Sequence, residues 1–367
     1  MASSANVKNA SHSFRNRKPG DWEFIDFLGV SPGAQEVRRQ LELIASDRQG
    51  LSVLITGERG TGKDLAANII QSRSVYVTDK SVMVHQDCGT LHINNAQSQL
   101  FGHCKGAFTG ADTSRKGCFL SAQNGAVFLN EIGNIPYEIQ PMLLRVVEYG
   151  VIVPMGVDKE EKINALMIFA TNCDIDKMCC ENLFKKDLLD RMKRRHLHIP
   201  PLRERREDIP VLTEFLFAKK CHESGTGLKT TIDKGVYSLL ACCELKGNVR
   251  ELDNLLTVAF DKMLRNDKNI LMPEHLMPEI ENAATEGERG DLSENRINEC
   301  FEELLKMYLE QQRKSQKGIK TKDAPCLFGM KNHTEMIKRI VLEFAGHQKS
   351  LASKYLDISV RQYDNKP

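Results

Sequence analysis

Between Gly57 and Lys63 the chain reads Gly-Glu-Arg-Gly-Thr-Gly-Lys, three glycines and a lysine at the spacing GxxxxGK. Glycine backbone can curl until successive N–H groups point inward, which suits the oxygens of the β- and γ-phosphates of a nucleotide. The terminal lysine adds a point charge that a purely structural turn would not require. Gly57, Glu58, Arg59, Gly60, Thr61 and Gly62 are therefore candidates to cradle phosphates, with Lys63 on them. Asp64 stands where many such loops place a Ser or Thr to touch Mg2+. A second candidate pair is Asn130-Glu131. ATPases built on a phosphate loop commonly present two acids at the end of a later strand, one for the metal and one for the attacking water. Glu131 suits the water-polarising role, whereas Asn130 keeps an oxygen but loses the charge that holds a Mg2+ shell. ATP and Mg2+ are the expected cofactors, with Asn130 and Glu131 acting on the metal indirectly.

Such a loop has meaning only between a strand and a helix. The apolar run Leu51–Thr56 reads as a buried strand feeding the loop, and a helix is expected at 65–73. Three more strands are legible at Val82–His85, Gly125–Leu129 and Ala165–Ala170, each separated from the next by a helical or loop segment. Strands alternating with helices predict an α/β fold, a parallel sheet with helices on both faces. After Pro200-Pro201 helical patterns take over at 208–223, 231–243 and 248–265, which predicts a smaller helical lid. The expected division is a flexible tail at 1–20, an α/β ATPase subdomain at 21–203, the lid at 204–282, a linker at 283–330 and a terminal domain at 331–367. The linker holds one amphipathic helix around Phe301, Leu304, Leu305 and Tyr308.

With 51 basic and 49 acidic residues the net charge is only +2, so contact with nucleic acid requires a local patch and not a global field. The 11 cysteines are scattered or paired side by side without CxxC spacing, which argues against zinc and for reduced thiols in a cytoplasmic protein. The first 20 residues lack the apolar run of a signal peptide, and no later stretch is long and apolar enough to cross a membrane.

At Gly106-Ala-Phe-Thr-Gly-Ala111, preceded by Leu100-Phe-Gly-His-Cys-Lys105, the chain resembles the sigma-54-dependent transcription activators, the bacterial enhancer-binding proteins of the AAA+ ATPase group. Phe184–Arg191, Pro200–Arg205 and Gly247–Leu252 resemble later blocks of that family in the right order, so the resemblance spans about residues 22–280. It implies an AAA+ phosphate-loop fold in which Gly106, Ala107, Phe108, Thr109, Gly110 and Ala111 form a loop that contacts the sigma-54 factor when ATP is bound. Phe108 and Thr109 are the expected contacts, and RNA polymerase is the remodelled partner. The resemblance further implies that Thr171-Asn172 sense the γ-phosphate and that Arg250 reads nucleotide from the lid. Arg191 becomes an arginine finger reaching a neighbouring subunit, which implies a ring, a hexamer in this family. Residues 334–363 resemble the small Fis-like helix-turn-helix that ends many such activators. Ser359, Arg361 and Gln362 would then read bases and Lys349 and Lys354 touch phosphates at upstream DNA sites. Only about 20 residues precede the ATPase, so the expectation is an activator without an N-terminal receiver domain.

Four positions depart from the family. Asn130 replaces the usual Asp, and Asp87 falls where an Asn commonly restrains the catalytic Glu. Lys185 sits where a second finger Arg is common, and Leu245-Lys246 replaces Trp-Pro before the GNVREL block. The first two amount to an exchange of an amide and a carboxylate, and compensation requires both side chains to approach one phosphate site. A rival reading follows from Asn130: a nucleotide-binding, weakly hydrolysing DNA-bound regulator or antagonist of such activators. A DNA motor is disfavoured, since it has no use for the GAFTGA hexapeptide.

Overall fold

The structure, a computed structural model, describes residues 26–47, 52–225, 230–266 and 269–277. The chain divides into two compact units, residues 1–232 with 239–289 and residues 233–238 with 290–367. The first unit holds every element that positions the site. The expected tail at 1–20, the linker helix around Phe301 and the helix-turn-helix at 331–367, with Lys349, Lys354, Ser359, Arg361 and Gln362, lie outside the described residues.

In chain order the elements begin with α1 (Pro32–Ala45), β1 (Ser52–Thr56), α2 (Lys63–Arg73), β2 (Met83–Asp87) and α3 (Ile93–Phe101). A hairpin of β3 (Gly102–His103) and β4 (Arg115–Lys116) leads to α4 (Cys118–Ser121), β5 (Ala126–Asn130) and α5 (Gln140–Tyr149). A second hairpin, β6 (Val151–Ile152) and β7 (Glu161–Lys162), precedes β8 (Leu166–Thr171), α6 (Ile175–Cys180), α7 (Lys186–Met192) and β9 (His196–His198). The lid comprises α8 (Ile209–Glu223), β10 (Thr231–Ile232), α9 (Lys234–Cys242), α10 (Asn248–Arg265) and β11 (Ile270–Leu271).

The main sheet is parallel in the order β2-β5-β8-β1-β9. Alternation along its central strands sorts side chains to two cores. Val53, Ile55, Phe128, Ile168 and Ala170 pack under α1 and α2, while Leu54, Val127, Leu129, Met167 and Phe169 pack under α3, α5 and α7. Helices on both faces explain why these strands read as unbroken apolar runs, as the sequence pattern predicts. The fifth strand, β9, was not foreseen: His196-Leu197-His198 has a single apolar residue, enough for an edge strand that turns only Leu197 inward. In the lid, α10 buries Leu252, Leu255, Leu256, Ala259, Phe260 and Met263, a stripe at three- and four-residue steps that packs on α8, with Phe217 edge-on to Phe260 at 5.7 Å.

Cys88 and Cys118 are buried in the core as small apolar groups. Burial pushes the Cys118 thiol up to about 12 and raises that of Cys88 further, so neither is a ready nucleophile. No helix among the described residues is long and apolar enough to cross a membrane.

Candidate functional site

The β1 strand ends at Thr56 and the chain turns through the glycine-rich loop into α2, whose first residue is Lys63. Gly60 has φ +75°, and a Cβ there would lie 2.2 Å from the Gly247 carbonyl, so only glycine allows the lid to close on the loop. Lys63 is buried, and its Nζ donates to the carbonyls of Gly57 at 2.9 Å and Glu58 at 3.1 Å. Desolvation holds the Lys63 ammonium below its usual pKa, opposed by the nearby carboxylates of Glu131 and Asp64.

The loop borders a cavity of about 440 Å³. Arg59, Gly60, Thr61, Gly62, Lys63 and Asp64 form one wall; Asp87, Asn130 and Glu131, at the carboxyl ends of β2 and β5, form a second. Arg250 enters from the lid, and Phe27, Leu28, Leu212, Leu216 and Val249 supply an apolar side. That side was not legible beforehand, because its residues come from the start of the domain and from two lid helices.

Glu131 follows β5 in a left-handed conformation, φ 52° and ψ 49°, a strained state for a non-glycine residue. Its Oε2 faces the backbone N–H of Asn172 at 3.4 Å, which links the end of β8 to the candidate catalytic acid. Thr171 itself is fully buried, and its hydroxyl accepts the N–H of Cys173 at 3.0 Å. The cavity walls do not include Thr171, Asn172, Gly57 or Glu58. The Oδ1 of Asn130 is buried with no hydrogen-bond partner among the described residues. Asp64, Asp87 and Glu131 line the same cavity, yet among the described residues no three His, Cys, Asp or Glu side chains are grouped so as to hold a metal ion by themselves.

A clasp outside the expected set joins loop and lid. Arg203 holds Glu58 through two parallel bonds of 2.7 Å, and this guanidinium lowers the Glu58 carboxyl below its usual range. Asn248 donates to Glu58 Oε2 at 3.2 Å and to the Arg59 carbonyl at 2.9 Å, while its own Oδ1 accepts from Leu202 N–H at 2.6 Å. The N–H of Val249 reaches the Gly60 carbonyl at 3.0 Å. These bonds bring Arg250, the next residue, to the cavity mouth.

Arg191 and Lys185 lie away from the cavity. Arg191 pairs with Glu148 of α5 at 2.6 Å, and Lys185 lies over the Tyr137 ring at 4.5 Å. Gly106 to Ala111 cap the hairpin of β3 and β4, with Gly106 and Gly110 at φ +80° and +94° and open space on both. Gly106 N–H closes the loop on Ala111 O at 2.9 Å, and Ala111 N–H bonds Phe108 O at 3.0 Å. Phe108 is 43% exposed, its ring edge-on to His103 at 5.0 Å; Thr109 is exposed, whereas Ala111 is buried. Cys104 and Gly102 are bonded to Met155, so this hairpin rests on the turn of the second one.

Residues 27–198 match the model of the sigma-54 interaction domain, and residues 203–292 match that of the AAA+ ATPase lid domain. The anaerobic nitric oxide reductase transcription regulator NorR of Escherichia coli (strain 55989 / EAEC) and its counterpart from Shigella flexneri are 34% identical over 313 residues, covering 81% of this chain. The chain spans 61% of the length of those curated relatives. Among solved structures, NtrX from Brucella abortus in complex with ATP superposes with a TM-score of 0.61 at 21% identity, covering 98% of this chain and 71% of that one. The same protein with ADP gives 0.62 at 21% identity and the same coverage, a shared fold. Through residues 27–198 and 203–292 the chain belongs to the sigma-54 interaction domain family of AAA+ proteins, homologous to the NorR regulators.

Proposed function

We propose that this protein is an ATP-dependent transcription activator that acts on sigma-54 RNA polymerase through the loop Gly106–Ala111. The observation that carries the reading is Phe108, a large apolar side chain exposed between two glycines on a hairpin set between α3 and α4 of the phosphate-loop domain. An exposed apolar residue in so hinged a loop is costly to solvate and suits a partner surface. Its contact would be the sigma-54 factor.

At the cavity, the backbone from Gly57 to Gly62 and Lys63 would hold the phosphates, and the apolar side around Phe27 and Leu212 would take the base. Glu131 would orient and deprotonate the attacking water, and its link to Asn172 supports a role for Thr171-Asn172 in sensing nucleotide. Arg250 reads nucleotide from the lid. Arg191, free of the cavity of its own subunit, would complete a neighbour's site in a ring, a hexamer in this reading, with Lys185 beside it. Bound Mg2+ would neutralise phosphate charge, with Asn130 and Glu131 acting on it indirectly. Upstream DNA contact would fall to Lys349, Lys354, Ser359, Arg361 and Gln362, which lie outside the described residues.

The rival reading, a weakly hydrolysing regulator or antagonist, draws on one observation, the amide of Asn130 in place of a carboxylate. Phosphate release per subunit across protein concentrations separates the two: an activator hydrolyses faster as rings assemble, an antagonist stays near background at every concentration.

Phe108→Ala is expected to weaken sigma-54 binding in the presence of ADP with aluminium fluoride or a non-hydrolysable ATP analogue by about 10-fold or more, the scale of a truncated interface anchor. Because Phe108 is exposed, the melting temperature should be unchanged. Absence of sigma-54 binding by the wild-type protein in every nucleotide state removes the reading.

A further inference from the structure

We propose that Asp253 of the lid helix α10 accepts hydrogen bonds from the ribose hydroxyls of the bound nucleotide, and so selects ribonucleotides over deoxyribonucleotides. The proposal rests on the cavity being a nucleotide site and adds which residue meets the sugar.

Asp253 lines the cavity from the lid, together with Val249 and Arg250 of the same helix. Those two residues lie four and three positions before it, which puts all three on one face of α10. The Val249 N–H is bonded to the Gly60 carbonyl, so the near end of that face rests on the phosphate loop. Asp253 stands one helical turn farther on, about 6 Å along the axis, where the part of a nucleotide that follows its phosphates would lie. On α8, Leu212 and Leu216 belong to the apolar side of the cavity, and Lys220 is the next position of their stripe. Lys220 pairs with Asp253 Oδ1 at 2.7 Å and donates to the Thr257 hydroxyl at 2.6 Å. The apolar side therefore ends at a carboxylate.

That carboxylate is held but not used up. The Lys220 side chain is only 14% exposed and anchors it, and among the described residues no donor besides Lys220 is paired with it. An ionised carboxylate has about four acceptor positions, so capacity is left for donors on a ligand. Phosphates offer no donor and repel an acid, which leaves the sugar and the base edge. The other acids of the cavity, Asp64, Asp87 and Glu131, belong to the start of α2 and the ends of β2 and β5, on the phosphate side. Adjacent ribose hydroxyls match the two oxygens of one carboxylate, the means by which dinucleotide-binding folds read a ribose with an acid. A base would be covered by Phe27, Leu212 and Leu216, each buried, whereas the Asp253 side chain is 46% exposed. A half-exposed acid at the margin of the apolar side faces the sugar and not the covered base.

Isothermal titration of the full chain with ATP, 2′-deoxy-ATP and 3′-deoxy-ATP tests this. The wild-type protein is expected to bind ATP about 10-fold more tightly than at least one of the deoxy analogues, the scale of a charge-assisted hydrogen bond. Asp253→Ala is expected to lower ATP affinity to the level of that analogue while leaving the analogue's own affinity unchanged, so the preference disappears. The preference is a ratio taken within each protein, so a general loss of stability does not imitate this result. The proposal is overturned when the wild type binds ATP and both deoxy analogues alike, or when the preference survives Asp253→Ala. It is equally overturned when Asp253→Ala and Asp253→Asn tighten ATP and both analogues by the same factor, which would make Asp253 a charge that merely opposes phosphate. Purine riboside triphosphate, which lacks the 6-amino group, checks the base edge: if the loss tied to Asp253 appears with this analogue and not with the deoxy ones, the acid reads the base and the proposal fails. A wild-type protein that binds none of these nucleotides instead removes the nucleotide-site reading beneath the proposal.

Discussion

Lys63→Ala is expected to weaken ATP binding by roughly 100-fold, about 3 kcal/mol, the worth of one or two charge-assisted hydrogen bonds to phosphate in a shielded site. The same substitution should leave the nucleotide-free protein as stable as before, or more so. Lys63 is buried, and among the described residues its ammonium is bonded to two loop carbonyls, with Glu131 and Asp64 as nearby countercharges. Desolvation lowers its pKa in the folded protein below that of the unfolded chain. The unfolded chain therefore binds more protons in the window between the lowered value and the ordinary lysine value, so stability rises with pH through that window. Below it the buried charge is a net cost to the empty protein, offset once phosphate arrives. Isothermal titration with ATP and a thermal melt without it read the two halves separately. Equal ATP affinity in wild type and variant would remove Lys63 from the phosphate site, and a large fall in apo melting temperature would make it structural.

The phosphate loop was legible because its requirement is local: glycine backbone and one lysine within seven residues specify the turn whatever surrounds it. The strands β1, β5 and β8 were legible for a related reason, since burial on both faces leaves little but apolar side chains in them. Strand β9 escaped because an edge position asks for one inward residue, Leu197, which three letters cannot distinguish from a loop. The lid stripe on α10 was readable from its spacing, but the apolar side of the cavity was not, because Phe27 and Leu212 are brought together only by the folded chain.

Long separation in sequence hid the clasp. Arg203 lies 145 residues from Glu58 and Asn248 lies 190, and nothing in either local pattern points to the other. Thr171 illustrates the reverse case. The resemblance assigns it to the nucleotide; its hydroxyl accepts the Cys173 N–H, and the contact that reaches the candidate catalytic acid comes from the next backbone N–H, that of Asn172. A motif names a segment; which atom of it faces the chemistry depends on how the turn closes.

The largest stability effect expected is at a residue with no assigned role in the sequence. Asp208 is fully buried and accepts from the N–H groups of Val30 and Ser31 at 2.6 and 2.7 Å and from the Ser31 hydroxyl at 2.8 Å. Ser31 in turn caps α1 by accepting the Ala34 N–H at 3.1 Å. Asp208 also stands 3.8 Å from Arg205, itself 1% exposed, which donates to the carbonyls of Thr61 at 3.0 Å and Pro200 at 3.2 Å and lies 5.0 Å over the Phe27 ring. One ion pair thus ties the start of the domain and the phosphate loop to the entry of the lid. Asp208→Ala removes three acceptor bonds and leaves the Arg205 guanidinium buried without an anion, so a loss of about 3–5 kcal/mol is expected in urea unfolding. Since Phe27 and Thr61 both line the cavity, nucleotide affinity should fall with it. Asp208→Asn keeps an acceptor for the Val30 and Ser31 donors and should lose less. Adding Arg205→Met to Asp208→Ala removes the stranded charge, and the double variant should be more stable than Asp208→Ala by itself, the reverse of what independent sites would give. A double variant that loses the sum of both single effects would mean that Arg205 contributes through packing on Phe27, with its charge answered elsewhere.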